Sequence, residues 1–205
     1  MDSATLRKLY GPPSERALQK ILPYLDKHSI KFIENSSFLI LGTSNNKSLD
    51  LSPKGDPKGF IKIIYKNTIE LPDRPGNNRI DGLLNILVNP KVAILFFIPN
   101  VNETLRLQGI AEILTDKKTL NMHKIRNRLP KTVTRIKIEA RGLHCGKALI
   151  RSSLWQPENW PKKRPLESLY NILEDQTGLK SLVTDEEQVN KIYKKFFISY
   201  LGNLK

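Results

Sequence analysis

Leu71-Pro72-Asp73-Arg74-Pro75-Gly76-Asn77-Asn78-Arg79 stands between a strand-like run at residues 68–71 and a helix-like run at residues 80–88. Pro72, Pro75 and Gly76 exclude regular structure and let the backbone turn sharply. Asn77 or Asn78 is placed to cap the following helix, whose first N–H groups and positive dipole end attract a phosphate. Arg74 and Arg79 bracket that helix start, and a guanidinium offers paired donors that match phosphate oxygens. The stretch reads as an anion socket. The same residues also suit a polar strand-to-helix turn carrying two exposed arginines, and both readings stand at this point.

Working outward, residues 1–34 read as a helical extension, with Ala17, Leu18, Ile21, Leu22 and Leu25 at helical spacing around a break at Pro23. The period then changes. Residues 37–43 form a short apolar run followed by the turn Ser44-Asn45-Asn46-Lys47, and residues 49–52 continue as a strand until Pro53, Gly55, Pro57 and Gly59 interrupt it. Residues 60–65 and 68–71 make a hairpin around Lys66-Asn67. A helix at residues 78–87 stops at Asn89-Pro90, and strands follow at 92–98, 105–114 and 131–142, the last with Val133, Ile136 and Ile138.

The expected fold is mainly β with added helices, an α+β arrangement of about six antiparallel strands with one helix inserted midway. Closure into a small barrel would remove the exposed edges. A doubly wound parallel sheet is excluded by the missing strand–helix alternation and by the absence of any G-x-G-x-x-G stretch. After Gly142 helical patterns return at residues 145–153, 166–174 and 185–201. In the last of these Val189, Ile192, Tyr193, Phe196 and Phe197 make an amphipathic stripe suited to packing or to a dimer surface. The organisation expected is a helical extension at 1–34, a barrel at 35–155 and a helical segment at 156–205 packed on it, a single domain overall.

At 205 residues and 39% hydrophobic content the chain can bury a sizeable core. No apolar run approaches the roughly 18–20 residues that span a bilayer, and the start of the chain has neither a basic nor an apolar leader region, so a cytoplasmic location is expected. Cys145 is the single cysteine, which leaves no internal disulfide. The net charge of +14 draws anions generally, but the lysines are dispersed and lack any zinc-finger or RNA-binding signature, so nucleic acid is not favoured as a partner. His28, His123 and His144 show no metal-ligand spacing and no catalytic constellation, and no metal is expected.

Three stretches carry a family likeness. Leu49-Asp50-Leu51-Ser52-Pro53-Lys54-Gly55-Asp56, then residues 69–79 containing Pro72-Asp73-Arg74-Pro75-Gly76-Asn77-Asn78-Arg79, then residues 85–96 with Val88-Asn89-Pro90-Lys91-Val92, resemble the FMN-binding split β-barrel of the pyridoxamine 5′-phosphate oxidase-like superfamily. Residues 105–112 fit its next strand. The likeness covers about residues 35–155, and the segment from Cys145 to Trp155 is similar to a branch distinct from the oxidase proper.

The resemblance implies a homodimer with FMN at the subunit interface, its sites built from both chains, and oxidoreductase chemistry on an unknown small molecule. By that resemblance Ser52, Lys54, Asn77, Asn78 and Arg79 meet the phosphate and ribityl chain, while Asp73 and Arg74 lie at the flavin edge or brace the turn. Lys147, Arg151, Ser152 and Trp155 are the candidates from the partner chain. The oxidase proper carries an Arg-x-His pair near its C-terminus, and none occurs here, which argues against oxidation of pyridoxine or pyridoxamine 5′-phosphate. A flavin- or haem-binding sensor or carrier without turnover, and a basic nucleic-acid-binding module, are the alternatives from other classes.

Overall fold

In the computed structural model residues 1–180, 183 and 186–201 are described. Alternating side chains build the centre of the fold. Strand β1 (Phe38–Ser44) turns Leu39, Leu41 and Thr43 inward, and β5 (Lys91–Phe97) does the same with Val92, Ile94 and Phe96. Strands β6 (Thr104–Leu114) and β7 (Val133–His144) add Leu105, Leu107, Ala111, Val133, Ile136 and Ile138. With β2 (Leu49–Gly55), β3 (Lys62–Tyr65) and β4 (Thr68–Pro72) they form one seven-stranded sheet in the order β2-β1-β5-β6-β7-β4-β3, every neighbouring pair antiparallel. The α+β, antiparallel architecture expected from the sequence is the one observed.

Three details differ from expectation. There are seven strands among the described residues, and hydrogen bonds do not close the sheet, because β2 and β3 are both left as edges. Pro53 does not end β2: it pairs with Ile40 on an edge strand, where its missing N–H withdraws nothing from a second neighbour. The break at Pro23 is wider than expected, since Ile21, Leu22 and Leu25 all lie outside helices. Helices α1 (Ser3–Tyr10) and α2 (Glu15–Gln19) end before it, and Leu22, restricted by the following proline, is extended and exchanges backbone hydrogen bonds with Arg141 of β7 at 3.1 and 2.8 Å.

Helix α3 (Lys27–Asn35) buries Phe32 and Ile33 in the core, and Asp26 caps it by accepting from the Ser29 amide at 2.9 Å. Helix α4 (Asp81–Val88) is anchored by Asn85, whose amide donates to Thr43 of β1 at 3.1 Å in a buried position. Helix α5 (Lys117–Met122) fills the connection from β6 to β7, capped by Asp116. Helix α6 (Lys147–Arg151) is shorter than the run expected at 145–153.

The chain divides into two compact units, Met1–Trp155 and Gln156–Lys205. In the second, α7 (Leu169–Thr177) begins at a Ser168 cap and stops at Gly178 in the left-handed region, and α8 (Glu186–Leu201) follows. Of the expected α8 stripe Val189 is buried, whereas Ile192, Tyr193, Phe196 and Phe197 are exposed.

A β-bulge sets the course of β7. Gln108 pairs with Ala140 and Gly109 with Ile138, so Glu139 is the extra residue. Before the bulge β7 pairs with β4, and beyond it with Leu22. Gly109 allows the approach, since a Cβ there would overlap the Lys137 carbonyl oxygen and crowd Ile136. Gly109→Ala is expected to destabilise the protein by about 1–3 kcal/mol. Urea denaturation measures this, and an unchanged midpoint would show that the strands separate freely at that point.

Candidate functional site

The turn after β4, the edge strand β2, the first turn of α4 and residues 128–131 enclose a cleft of about 680 Å³. Its lining carries Lys54, Arg74, Arg79, Arg128 and Lys131 against Asp50, Asp73 and Asp81, which leaves it positive. Apolar surface comes from Leu41, Leu51, Leu71, Leu83 and Leu129. A mixed wall of this kind suits a ligand with an anionic end and a flat or apolar body.

The turn is built differently from the capped helix start expected. Helix α4 begins at Asp81, three residues beyond the expected Asn78, after Ile80, which has φ 52° and gives no side-chain cap. Asn77 accepts from the backbone N–H of Arg79 at 3.1 Å, and Asn78, at φ 60°, accepts from Lys131 Nζ at 3.3 Å. The two asparagines therefore shape the loop rather than the helix terminus, a use that their tolerance of the left-handed region permits.

The arginines divide by burial. Arg74 is 16% exposed in its side chain, and its Nε lies 2.6 Å from the fully buried side chain of Asp56, while NH1 donates to the His123 carbonyl at 2.8 Å. Arg74 braces the turn. Arg79 is 75% exposed and meets Asp81 at 2.8 Å on the rim of the cleft. Lys54 stands 3.4 Å from Asp73, and Ser52 donates to Asp50 at 3.0 Å.

Behind the cleft lies a buried charged cluster. Glu70 of β4 is completely buried and accepts from Arg135 of β7 at 2.9 and 2.6 Å through one oxygen. Its other oxygen lies 2.8 Å from His123 Nε2, which must carry the hydrogen to donate. Burial holds the His123 imidazole below the usual histidine range despite the bond to Glu70, and Arg74 and Lys62 add to that depression. His123 Nδ1 is buried with no hydrogen-bond partner.

Seven of the residues expected at a cofactor site, Ser52, Lys54, Asp73, Arg74, Asn77, Asn78 and Arg79, line this one cleft. The other four do not line it. Lys147 and Arg151 sit on α6, Ser152 donates to the Leu149 carbonyl at 3.1 Å, and Trp155 donates from Nε1 to the Val101 carbonyl at 3.0 Å. Arg128 and Lys131 were not among the expected residues, nor was the Glu70–His123–Arg135 cluster. The available signals were a basic run at 124–131 ending near Pro130, and a lone carboxylate within the apolar strand Thr68–Pro72. Among the described residues no group of His, Cys, Asp and Glu could hold a metal ion.

The family model for pyridoxamine 5′-phosphate oxidase matches residues 25–145, the stretch that contains the sheet and the cleft. The chain belongs to this family. Solved structures similar to this family member include HupZ of Group A Streptococcus, at 24% identity over 57% of this chain and 91% of that one, with a TM-score of 0.46. Others are a putative pyridoxamine 5′-phosphate oxidase of Lactobacillus delbrueckii, at 15% identity over 58% and 94% with a TM-score of 0.46, and an F420 reductase, at 14% over 58% and 98% with a TM-score of 0.43. No curated protein matches the sequence. No helix among the described residues is long and apolar enough to cross a membrane.

The two arginines of the turn are expected to respond unequally to truncation. Arg74→Ala should cost about 3 kcal/mol, because buried Asp56 loses a counter-charge and the His123 carbonyl loses a donor. Arg79→Ala should change stability by less than about 1 kcal/mol, as an exposed pair does. Denaturation of both variants checks the contrast, and equal losses would remove Arg74 from its bracing role.

Proposed function

We propose that this family member is an FMN-binding flavoprotein, a homodimer with its flavin sites at the subunit interface, that oxidises or reduces a small molecule. The observation that carries the reading is the convergence of seven expected cofactor residues on one positively charged cleft, in a chain that belongs to the oxidase family.

The donor set fits the group. Arg79 is exposed at the cleft rim, and Ser52 and Lys54 project from the facing strand β2, so a phosphate set between them would find charge and oriented donors together. Lys131 reaches the same turn through Asn78. Arg74 does not fit a phosphate ligand, since its Nε and NH1 are committed to Asp56 and His123; its part is to hold the turn that presents Arg79.

Mechanistically, a bound flavin would supply the two-electron chemistry. This chain's residues would bind and orient: Arg79, Lys54 and Ser52 at the phosphate, the Asp73 and Arg74 turn as rigid support, and Leu71 and Leu129 as apolar surface that excludes water from the cleft. The absence of an Arg-x-His pair speaks against vitamin B6 phosphates as substrate.

A second copy has a surface to cover. On the outer face of the sheet Leu49 and Leu51 are 85% and 71% exposed, and Gly42 lies between Leu51 and Ala93 in register. That smooth apolar row supports dimerisation, with Lys147, Arg151, Ser152 and Trp155 as the contribution to the neighbouring site.

Protein mixed with FMN should bind about one flavin per chain, as a dimer by light scattering; a monomer with full flavin content would overturn the shared-site reading. Arg79→Ala should weaken FMN roughly ten- to hundredfold while affecting riboflavin little, since one charge-assisted hydrogen bond contributes about 1.5–3 kcal/mol. Titration by flavin fluorescence measures both ligands. Equal weakening would move Arg79 away from the phosphate.

A further inference from the structure

Besides the exposed Lys131–Asn78 contact at 3.3 Å, the wall formed by residues 128–131 is attached through the chain on either side of it. At one end Thr132 accepts from the Asp73 backbone N–H at 2.9 Å. At the other, His123 is held twice, by its ring on Glu70 at 2.8 Å and by its carbonyl under Arg74 at 2.8 Å. Between these anchors the chain makes a tight turn in which Ile125 and Arg128 exchange backbone hydrogen bonds at 3.1 and 2.9 Å. The two anchors therefore fix the backbone on either side of the wall, and the Lys131–Asn78 contact adds a side-chain tie at the surface.

The His123 anchor is built for a neutral ring. Facing it are Glu70 from β4, Arg74 from the turn and Lys62 from β3. Glu70 already accepts twice from Arg135, which also stands 3.6 Å from Glu112 of β6, and Arg74 is in turn paired with Asp56. A second proton on the ring would sit at Nδ1, which is buried with no acceptor, and would place a cation near Arg74 and Lys62. The group that must open to take that proton is the group that fixes the wall.

We infer that His123 and Glu70 form a proton-operated clasp: the neutral imidazole, bound to Glu70, positions residues 128–131 over the cleft, and protonation of the ring releases that wall and loosens the bound ligand. Both are positioning residues. The inference rests on the flavin-site reading for the ligand's identity, but the movement of the wall does not.

The sign follows from linkage. A histidine whose closed-state affinity for protons is depressed contributes stability that is full above its ordinary value of 6.5, and the contribution falls away as the pH drops below it. If the released ring titrates at its ordinary value and the clasped ring takes no proton, the released state gains about tenfold in population between pH 7.5 and pH 5.5.

The test compares the full chain with His123→Gln, whose amide keeps a donor for Glu70 and cannot titrate. Hydrogen exchange of amides 124–129 and 131, measured without flavin, should accelerate up to about tenfold at pH 5.5 relative to the variant and match it at pH 7.5. With FMN added, the affinity ratio of variant to natural protein should rise by a similar factor over the same range; comparing the two proteins cancels the titration of the FMN phosphate. His123→Ala, which removes the donor, should show fast exchange in this segment at both pH values. Parallel exchange profiles for the natural protein and the Gln variant would overturn the clasp. The expected exchange result without FMN binding at either pH would support the clasp and overturn the flavin reading.

Discussion

A carboxylate buried without water must be matched by donors that stay in place, and Glu70 imposes that condition on this fold. Arg135 comes to it from the adjacent strand, so β4 and β7 are joined by side chains as well as by their ladder. His123 comes from the middle of the β6–β7 connection, where α5 ends, and its carbonyl then receives Arg74. One charge thus fixes three segments widely separated in sequence, and the cleft is the space left between them. Replacing such a cluster by apolar side chains is often harmless to stability. The value of the arrangement is positional: an apolar contact would tolerate sliding, whereas two hydrogen bonds on one carboxylate oxygen and a third on the other do not.

The strands were legible because each carries its own signal. Residues 37–43, 92–98 and 105–114 are short apolar or β-rich runs, and in the structure they become strands with small shifts at the ends that turn Leu39 and Leu41, Val92 and Ile94, and Leu105 and Leu107 inward. Edges were less legible. Pro53 looks like a terminator until its strand is known to lie at the border of the sheet, where a missing N–H is tolerated, and border position is a property of the whole topology. Likewise the motive for closing the barrel, removal of edges, is a general tendency, and here β2 and β3 remain unpaired on one side.

The candidate site was legible in one stretch and hidden in another. Residues 71–79 announce a turn by their prolines, glycine and asparagines, and Ser52 and Lys54 follow from the family likeness. Which arginine would be spent on structure was not readable, because it depends on Asp56 and His123, 18 and 49 residues away from Arg74 in sequence. The basic run at 124–131 gives no hint of the cleft by itself. Its placement comes from β4 pairing with β7, which brings the end of the β6–β7 connection beside the turn.

The strongly positive chain poses a question of which charges act on a ligand. Arg74, Arg135 and Arg141 are held by buried or partly buried carboxylates or backbone carbonyls, and their charge is largely balanced where it stands. Exposed lysines distributed over the surface are screened beyond about 8–10 Å at physiological ionic strength. What remains to attract an anion into the cleft is local: Arg79, Lys54, Arg128 and Lys131, set in a concave wall beside apolar side chains that lower the local dielectric. The acidic partners Asp73 and Asp81 keep two of these side chains oriented without cancelling the group as a whole. Selectivity at this cleft is therefore a matter of which cations the buried carboxylates leave unclaimed, and net charge by itself would have predicted neither their number nor their position.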